Sequence, residues 1–99
     1  MNEHLLVHNS WSVLDEEIIT DVYDFLTFIG YNITTIDFGI FKRYEPNKKE
    51  MIDFTKIIIY SETPIKMEDA LRMWDDDLLD ASGSLTSLDP DGNLLWRES

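Results

Sequence analysis

The chain has 99 residues, 43% of them hydrophobic, and its 20 acids against 8 bases give a formal net charge of −12. This length predicts a single domain, residues 1–99. On folding it should bury roughly two-thirds of the surface that the unfolded chain exposes, which is enough for a core without disulfides or metal ions. The absence of cysteine excludes disulfides, thiolate metal sites and cysteine nucleophiles. The negative charge disfavours direct binding to nucleic acid or to an anionic membrane, and it favours a basic protein partner.

No targeting or membrane segment is indicated. Residues 1–4 lack the basic and apolar regions of a secretory signal. The longest apolar runs, such as residues 57–59, have three residues, whereas a helix needs roughly 20 to span a bilayer. The expected location is the cytoplasm.

The first half of the chain predicts a short edge strand, a helix and a hairpin. Residues 4–10 suggest the edge strand, and the helix is expected over residues 13–29, with Ser12 and Asp15 as a capping box and Gly30 at its C-terminal end. Its apolar stripe follows helical spacing. The members of this stripe are Ile18, Val22, Phe25, Leu26 and Ile29.

From residue 34 the apolar period changes to two, which predicts a strand over residues 34–41. A turn at residues 46–49 and a second strand over residues 52–60 complete an antiparallel hairpin. The second strand is apolar on both faces at residues 57–59, which indicates an interior position in the sheet.

A second helix is expected between the Thr63-Pro64 pair and the Ser82-Gly83 pair. Its predicted buried face is formed by four apolar residues at helical spacing, Met67, Leu71, Trp74 and Leu78. A turn at residues 89–92 predicts a C-terminal hairpin. The expected fold is therefore α+β, with two amphipathic helices packed on a small, mainly antiparallel sheet in the order (β)αββαββ.

The charges are unevenly distributed. Residues 42–56 contain five of the eight bases and three acids, a balance of +2, and the other 84 residues carry −14. On the first helix three acids at i, i+4 and i+7 form one row. On the second, a series of acids faces one base, Arg72, and its later members oppose the helix dipole. The predicted partner-binding residues are Glu17, Asp21, Asp24, Asp69, Asp75, Asp76, Asp77 and Asp80.

The sequence gives weaker indications of a metal site or a catalytic site. His4 and His8 are interpreted as isolated surface histidines, because no further zinc ligands accompany them. Asp89, Asp91 and Asn93 resemble the start of a calcium loop, but the sequence fits a tight turn better. No phosphate-binding loop or nucleophile elbow is present. We therefore expect no enzyme, no metal site and no cofactor.

Three tryptophans are candidates for either core or contact positions. Trp74 is expected in the core, whereas Trp11 and Trp96 serve equally well as interface anchors or as packing on the sheet edge.

In size, charge and element count the chain resembles small acidic inhibitors: phage anti-defence proteins, DNA-mimicking antagonists and toxin immunity proteins. That resemblance implies a stoichiometric inhibitor whose acidic helix faces bind a basic target, such as a nuclease or another nucleic-acid-binding protein. The basic segment at residues 42–56 would then pair with acids on the target or on a second copy, which leaves a homodimer open. The alternative is a small adaptor or oligomeric structural subunit whose acidity serves solubility alone. A small enzyme or ligand-binding domain is a third option.

Overall fold

The computed structural model describes residues 3–10, 14–79 and 83–98. Its elements are β1 His4–Asn9, α1 Ile18–Phe28, β2 Ile33–Glu45, β3 Glu50–Ser61, α2 Met67–Asp75, β4 Ser84–Leu88 and β5 Leu94–Glu98. This is the predicted order, and the α+β fold class is confirmed. Within the described ranges, neither helix combines the length and the apolar character that crossing a bilayer requires.

The five strands form one sheet in the order β2-β3-β1-β4-β5, and all neighbouring strands are antiparallel. β3 lies inside the sheet, as its apolar residues predicted. The prediction of an edge strand at residues 4–10 is wrong, because β1 pairs with β3 on one side and with β4 on the other. Because Leu5, Leu6 and Val7 are consecutive, β1 has apolar side chains on both faces of the sheet, which suits a central strand.

The core lies between one face of the sheet and the two helices. Ile57 and Ile59 of β3, with Leu6 and Leu85 beside them, are fully buried on that face. The helices contribute four buried side chains, Val22, Leu26, Ala70 and Met73. Burying one large aliphatic side chain stabilises a fold by about 1.5–3 kcal/mol. This shared core therefore holds both helices on the same side of the sheet.

His8 belongs to this core, and the prediction that it is a surface histidine is wrong. It has no exposed surface and lies opposite Ile57 on one side and Leu85 on the other. Its Nδ1 atom is 3.1 Å from the carbonyl oxygen of Ser84. The reason is the central position of β1: alternate residues of an interior strand face the core, and His8 follows Leu6 in that alternation.

α1 begins at Ile18, five residues later than predicted. The chain before it forms a turn in which the backbone N–H of Glu17 donates to Asp15 Oδ1, while Ser12 lies outside the described residues. The C-terminal end matches the prediction. Gly30 has a positive φ of 111°, its N–H donates to Thr27, and the Tyr31 N–H donates to the Leu26 carbonyl. These two hydrogen bonds form a Schellman motif.

α2 spans only nine residues, and its most buried face is rotated from the one predicted, although Leu71, Trp74 and Leu78 still pack against the core. Ala70 and Met73 are fully buried, whereas Met67 is 36% exposed. Trp74 packs against the core but is only partly buried. In so short a helix, several apolar sets fit helical spacing equally well, and the tertiary contacts decide which of them is buried.

Gly83 was expected to end the second helix, but it has another role. It is buried at the start of β4, where a Cβ atom would lie 2.0 Å from the backbone oxygen of Asn9. The backbone of β4 thus approaches β1 too closely for any side chain at this position.

The β2–β3 hairpin extends beyond the rest of the sheet. β1 pairs only with residues 56–61 of β3, so no third strand from the described part of the chain covers the outer part of the hairpin. We call residues 40–54 the arm. The arm carries an ion pair between Lys42 Nζ and Asp53 Oδ1 at 3.2 Å, and the rings of Phe41 and Phe54 are 5.7 Å apart.

Candidate acidic binding surface

The three predicted acids of α1 all face solvent. Glu17 occupies the N-cap position, and Asp21 and Asp24 lie on the helix with exposed side chains. Val22 and Leu26 are buried on the opposite side. Acids in the first turn also interact favourably with the helix dipole. The α1 row is therefore compatible with local stability as well as with binding.

Asp69 differs from the other predicted contact residues because it is engaged within the fold. Tyr31 donates a hydrogen bond from its hydroxyl to Asp69 Oδ2 at 2.5 Å, and the same hydroxyl accepts one from the Lys66 N–H at 3.0 Å. Burial and the hydrogen bond to Asp69 raise the pKa of Tyr31 above its ordinary value. The Tyr31 hydroxyl thus links the loop after α1 to the start of α2.

Asp75, Asp76 and Asp77 mark the end of α2. Asp75 is the last helical residue, Asp76 is the C-cap and Asp77 lies beyond the helix, so the prediction that all three continue it is wrong. Asp has low helix propensity, and negative charge near the C-terminus opposes the dipole, which explains why the helix stops here. All three side chains are exposed, and Asp80 lies outside the described residues.

Asp77 has a backbone conformation that usually requires glycine. Its φ is +58°, its N–H donates to Trp74, and the next N–H, of Leu78, donates to the Met73 carbonyl at 2.8 Å. This is a second Schellman motif, and its left-handed position is normally occupied by Gly. Asp tolerates that region better than most residues but less well than Gly. An exposed carboxylate is therefore present where it lowers local stability.

This strain gives a testable expectation. Asp77→Gly should raise the free energy of unfolding by about 1 kcal/mol, because glycine removes both the left-handed strain and a charge that opposes the dipole. Asp91→Asn removes one exposed carboxylate in the β4–β5 turn and serves as the charge control. Thermal and urea unfolding of the two variants measure the effect. A destabilised Asp77→Gly variant would show that the aspartate stabilises the helix end.

The two groups of acids lie on neighbouring helices. The guanidinium carbon of Arg72 is 5.6 Å from the centre of the Phe25 ring, so the one base of α2 packs on α1 at the junction between them. Asp21 and Asp24 are close to Phe25 along α1, and Asp75 and Asp76 follow Arg72 along the chain. Within residues 3–10, 14–79 and 83–98, none of the predicted contact acids forms an ion pair.

The calcium-like segment is a turn. Asp89 Oδ1 accepts hydrogen bonds from the backbone N–H groups of Asp91 and Asn93, at 2.9 and 2.8 Å, and Oδ2 accepts one from the Asn93 side chain. The hydrogen bonds from Asn93 lower the pKa of Asp89. Over the described part of the chain, no group of three or more His, Cys, Asp or Glu residues is arranged to hold a metal ion.

Trp96 supports the fold. Its indole N–H donates to the Ile65 carbonyl at 3.1 Å, and its ring packs against the core. Of the two interpretations of Trp96, packing within the chain is therefore the one observed, whereas Trp11 lies outside the described residues.

Two adjacent cavities lie along α1, and neither was foreseen. The larger, about 580 Å³, is at the C-terminal end of the helix and is lined in part by Tyr31, Asn32 and Glu62. The second, about 290 Å³, lies between α1 and β2 and is lined by Ile19, Thr20, Tyr23, Thr34, Thr35 and Ile36. The carboxylate of Glu62 accepts a hydrogen bond from Asn32 at 3.0 Å, so it is held by the wall of the larger cavity.

No family model matches the chain, and comparison with curated proteins and with solved structures gives no significant similarity.

Proposed function

We propose that the chain is a stoichiometric inhibitor that binds a basic target protein, such as a nuclease or another nucleic-acid-binding protein, through the acidic surfaces of α1 and of the α2 C-terminal segment. In this proposal rows of carboxylates replace phosphates on a cationic surface and compete with nucleic acid for it. This mode of action would place the chain among DNA mimics, immunity proteins or phage anti-defence proteins. The protein then acts by occupancy and performs no chemistry of its own.

The observation that carries the proposal is Asp77. It is exposed, has a φ of +58° and follows two further exposed aspartates at a helix C-terminus. Glycine would fit the backbone better, and lysine or arginine would fit the dipole better. A cationic partner would relieve the repulsion among these three carboxylates, which is a reason for acids at this position.

The packing of α1 against α2 is the second support. Because Arg72 is drawn onto Phe25, the exposed acids at the end of α2 have no neighbouring base on their own helix. Such a negative surface accelerates encounter with a basic protein, and the acceleration falls as salt screens the charges.

The test begins with capture of partners from a lysate by the tagged chain, followed by kinetics on the purified partner. The variant Asp75→Asn/Asp76→Asn/Asp77→Asn should slow association by about tenfold at low salt and flatten its salt dependence. The matched control is Glu45→Gln/Glu50→Gln/Asp91→Asn, which removes the same charge away from both helices. Duplex DNA should compete with the chain for its partner.

Equal association rates for the two triple variants would overturn the proposal, as would a partner that neither carries a basic surface nor releases the chain when DNA is added. If mutations at the sheet edge abolish binding of the partner and mutations on the helices do not, the result would favour an adaptor or structural subunit. The length and exposure of β2 are the observations that favour this second candidate.

A further inference from the structure

β2 presents a long open edge. Among the described strands it pairs only with β3, and it runs for 13 residues, whereas the opposite edge strand, β5, has five. The outer N–H and C=O groups of such an edge are a template for another strand. Three large apolar side chains of β2 are about half exposed: Ile40 is 53%, Phe41 48% and Tyr44 55% exposed.

We infer that this edge is a homodimer interface, in which β2 of two copies pairs antiparallel about Ile40 and joins the two five-stranded sheets into one. A two-fold axis through Ile40 keeps the helices of both copies on the same side of the joined sheet. Residues whose numbers sum to 80 then lie directly opposite each other and share a face.

Charge selects this register. Centring on Ile40 places Asp37 of each copy opposite Arg43 of the other, which gives two cross-strand pairs of opposite charge. Centring on Phe41 would instead oppose Asp37 to Glu45, which is repulsive, and centring on Gly39 would oppose Asp37 to Phe41. Asp37 is exposed at the edge and accepts a hydrogen bond from the Tyr60 hydroxyl, which restricts its side chain.

Shape supports the same register. Ile36 becomes the neighbour of Tyr44 from the second copy, and Ile36 lines the cavity of about 290 Å³ between α1 and β2. Ile36 and Tyr44 are both on the helix-covered face of the sheet, because even-numbered residues of β2 share that face. The exposed ring of Tyr44 therefore lies beside a cavity walled by Ile19 and Tyr23.

The uneven distribution of charge, and not its total, makes a second copy a suitable occupant of this edge. Two molecules of −12 repel each other, but residues 42–56 carry +2 and belong to the β2–β3 hairpin, whose outer strand is the approaching edge. α1 contacts β2 near residues 34–36, which face residues 44–46 of the other copy. Ten residues of strand separate the two α1 helices by roughly 33 Å, beyond the screening length of about 8 Å at physiological salt. Each basic arm thus lies beside the acidic α1 of its neighbour.

Sedimentation equilibrium of the purified chain at physiological salt tests the inference independently of any target. We expect a monomer–dimer equilibrium above the 11.6 kDa monomer. Arg43→Asp and Asp37→Arg should each weaken dimerisation at least about tenfold, because each change opposes like charges twice. The double variant Asp37→Arg/Arg43→Asp should restore it, since the pairs are then merely exchanged.

Arg97→Asp makes the same charge change on β5, at the far edge of the sheet, and should leave the equilibrium unaltered. Tyr44→Ala should weaken dimerisation without changing the circular dichroism spectrum of the monomer. A monomer at every concentration overturns the inference. So does a dimer that is insensitive to the Asp37 and Arg43 variants, or one disrupted by Arg97→Asp, because the contact would then lie elsewhere. Failure of the double variant to restore the dimer also overturns the register.

Discussion

Gly83→Ala should destabilise the protein by about 3 kcal/mol, a fall in melting temperature of roughly 15 °C for a domain of this size. The added methyl group would lie 2.0 Å from the backbone oxygen of Asn9 and 3.0 Å from the His8 ring, both in the central strand. Since the closest of these atoms is backbone, relief requires β4 to move away from β1. Thermal unfolding followed by circular dichroism measures the change.

Gly30→Ala is the matched control for this prediction. Gly30 has a φ of +111°, yet no atom lies within 4 Å of an added Cβ, so alanine there meets conformational strain alone, about 1 kcal/mol. The close approach of β4 to β1 is refuted if the Gly83 variant is as stable as the Gly30 variant.

Met73→Ala should cost about 2–5 kcal/mol of stability, and Met67→Ala should change it by about 0.5 kcal/mol or less. Met73 is fully buried between α2 and the sheet, whereas Met67 is 36% exposed at the start of the same helix. The two substitutions remove the same atoms, so the difference between them reports burial alone. Urea denaturation of both variants gives the comparison.

The reverse order, with Met67→Ala the more damaging, would mean that α2 buries the face that its sequence first suggested. Equal small effects would mean that α2 is not held in the core at all. Either result would also move the exposed end of the helix, and with it the proposed acidic surface.

Local signals predicted much of this fold. The apolar stripe of α1, the left-handed Gly30 after it, the period of two in β2 and the turns at residues 46–49 and 89–92 all depend on residues close in sequence, and all are observed. The interior position of β3 also followed from its own composition, because residues 57–59 are apolar on both faces.

The wrong predictions depend on contacts between distant residues. Nothing near His8 shows that β1 is covered on both sides, because its partners are residues 56–61 and 84–88. The start of α1 and both ends of α2 were predicted to extend further than they do, since tertiary packing overrides periodicity in short helices. The end of α2 could have been predicted locally, because three successive aspartates, Asp75–Asp77, have low helix propensity and favour a helix end.

Only part of the candidate binding surface could be predicted from the sequence. That Asp21 and Asp24 would face solvent follows from helical spacing alone, and the structure agrees. The engagement of Asp69 by Tyr31, 38 residues away, has no local signal. Nor does the strained backbone of Asp77, because it arises from the position at which the helix ends.

The central position of β1 has a consequence for how the chain folds. β1 comes first among the described strands yet needs both β3 and β4, and His8 meets Leu85 across 77 residues of chain. Closing such long loops is entropically slow, so contacts of this kind form late. The two halves of the sheet therefore join only when β1 has found both of its distant neighbours, so the centre of the sheet is completed late in folding.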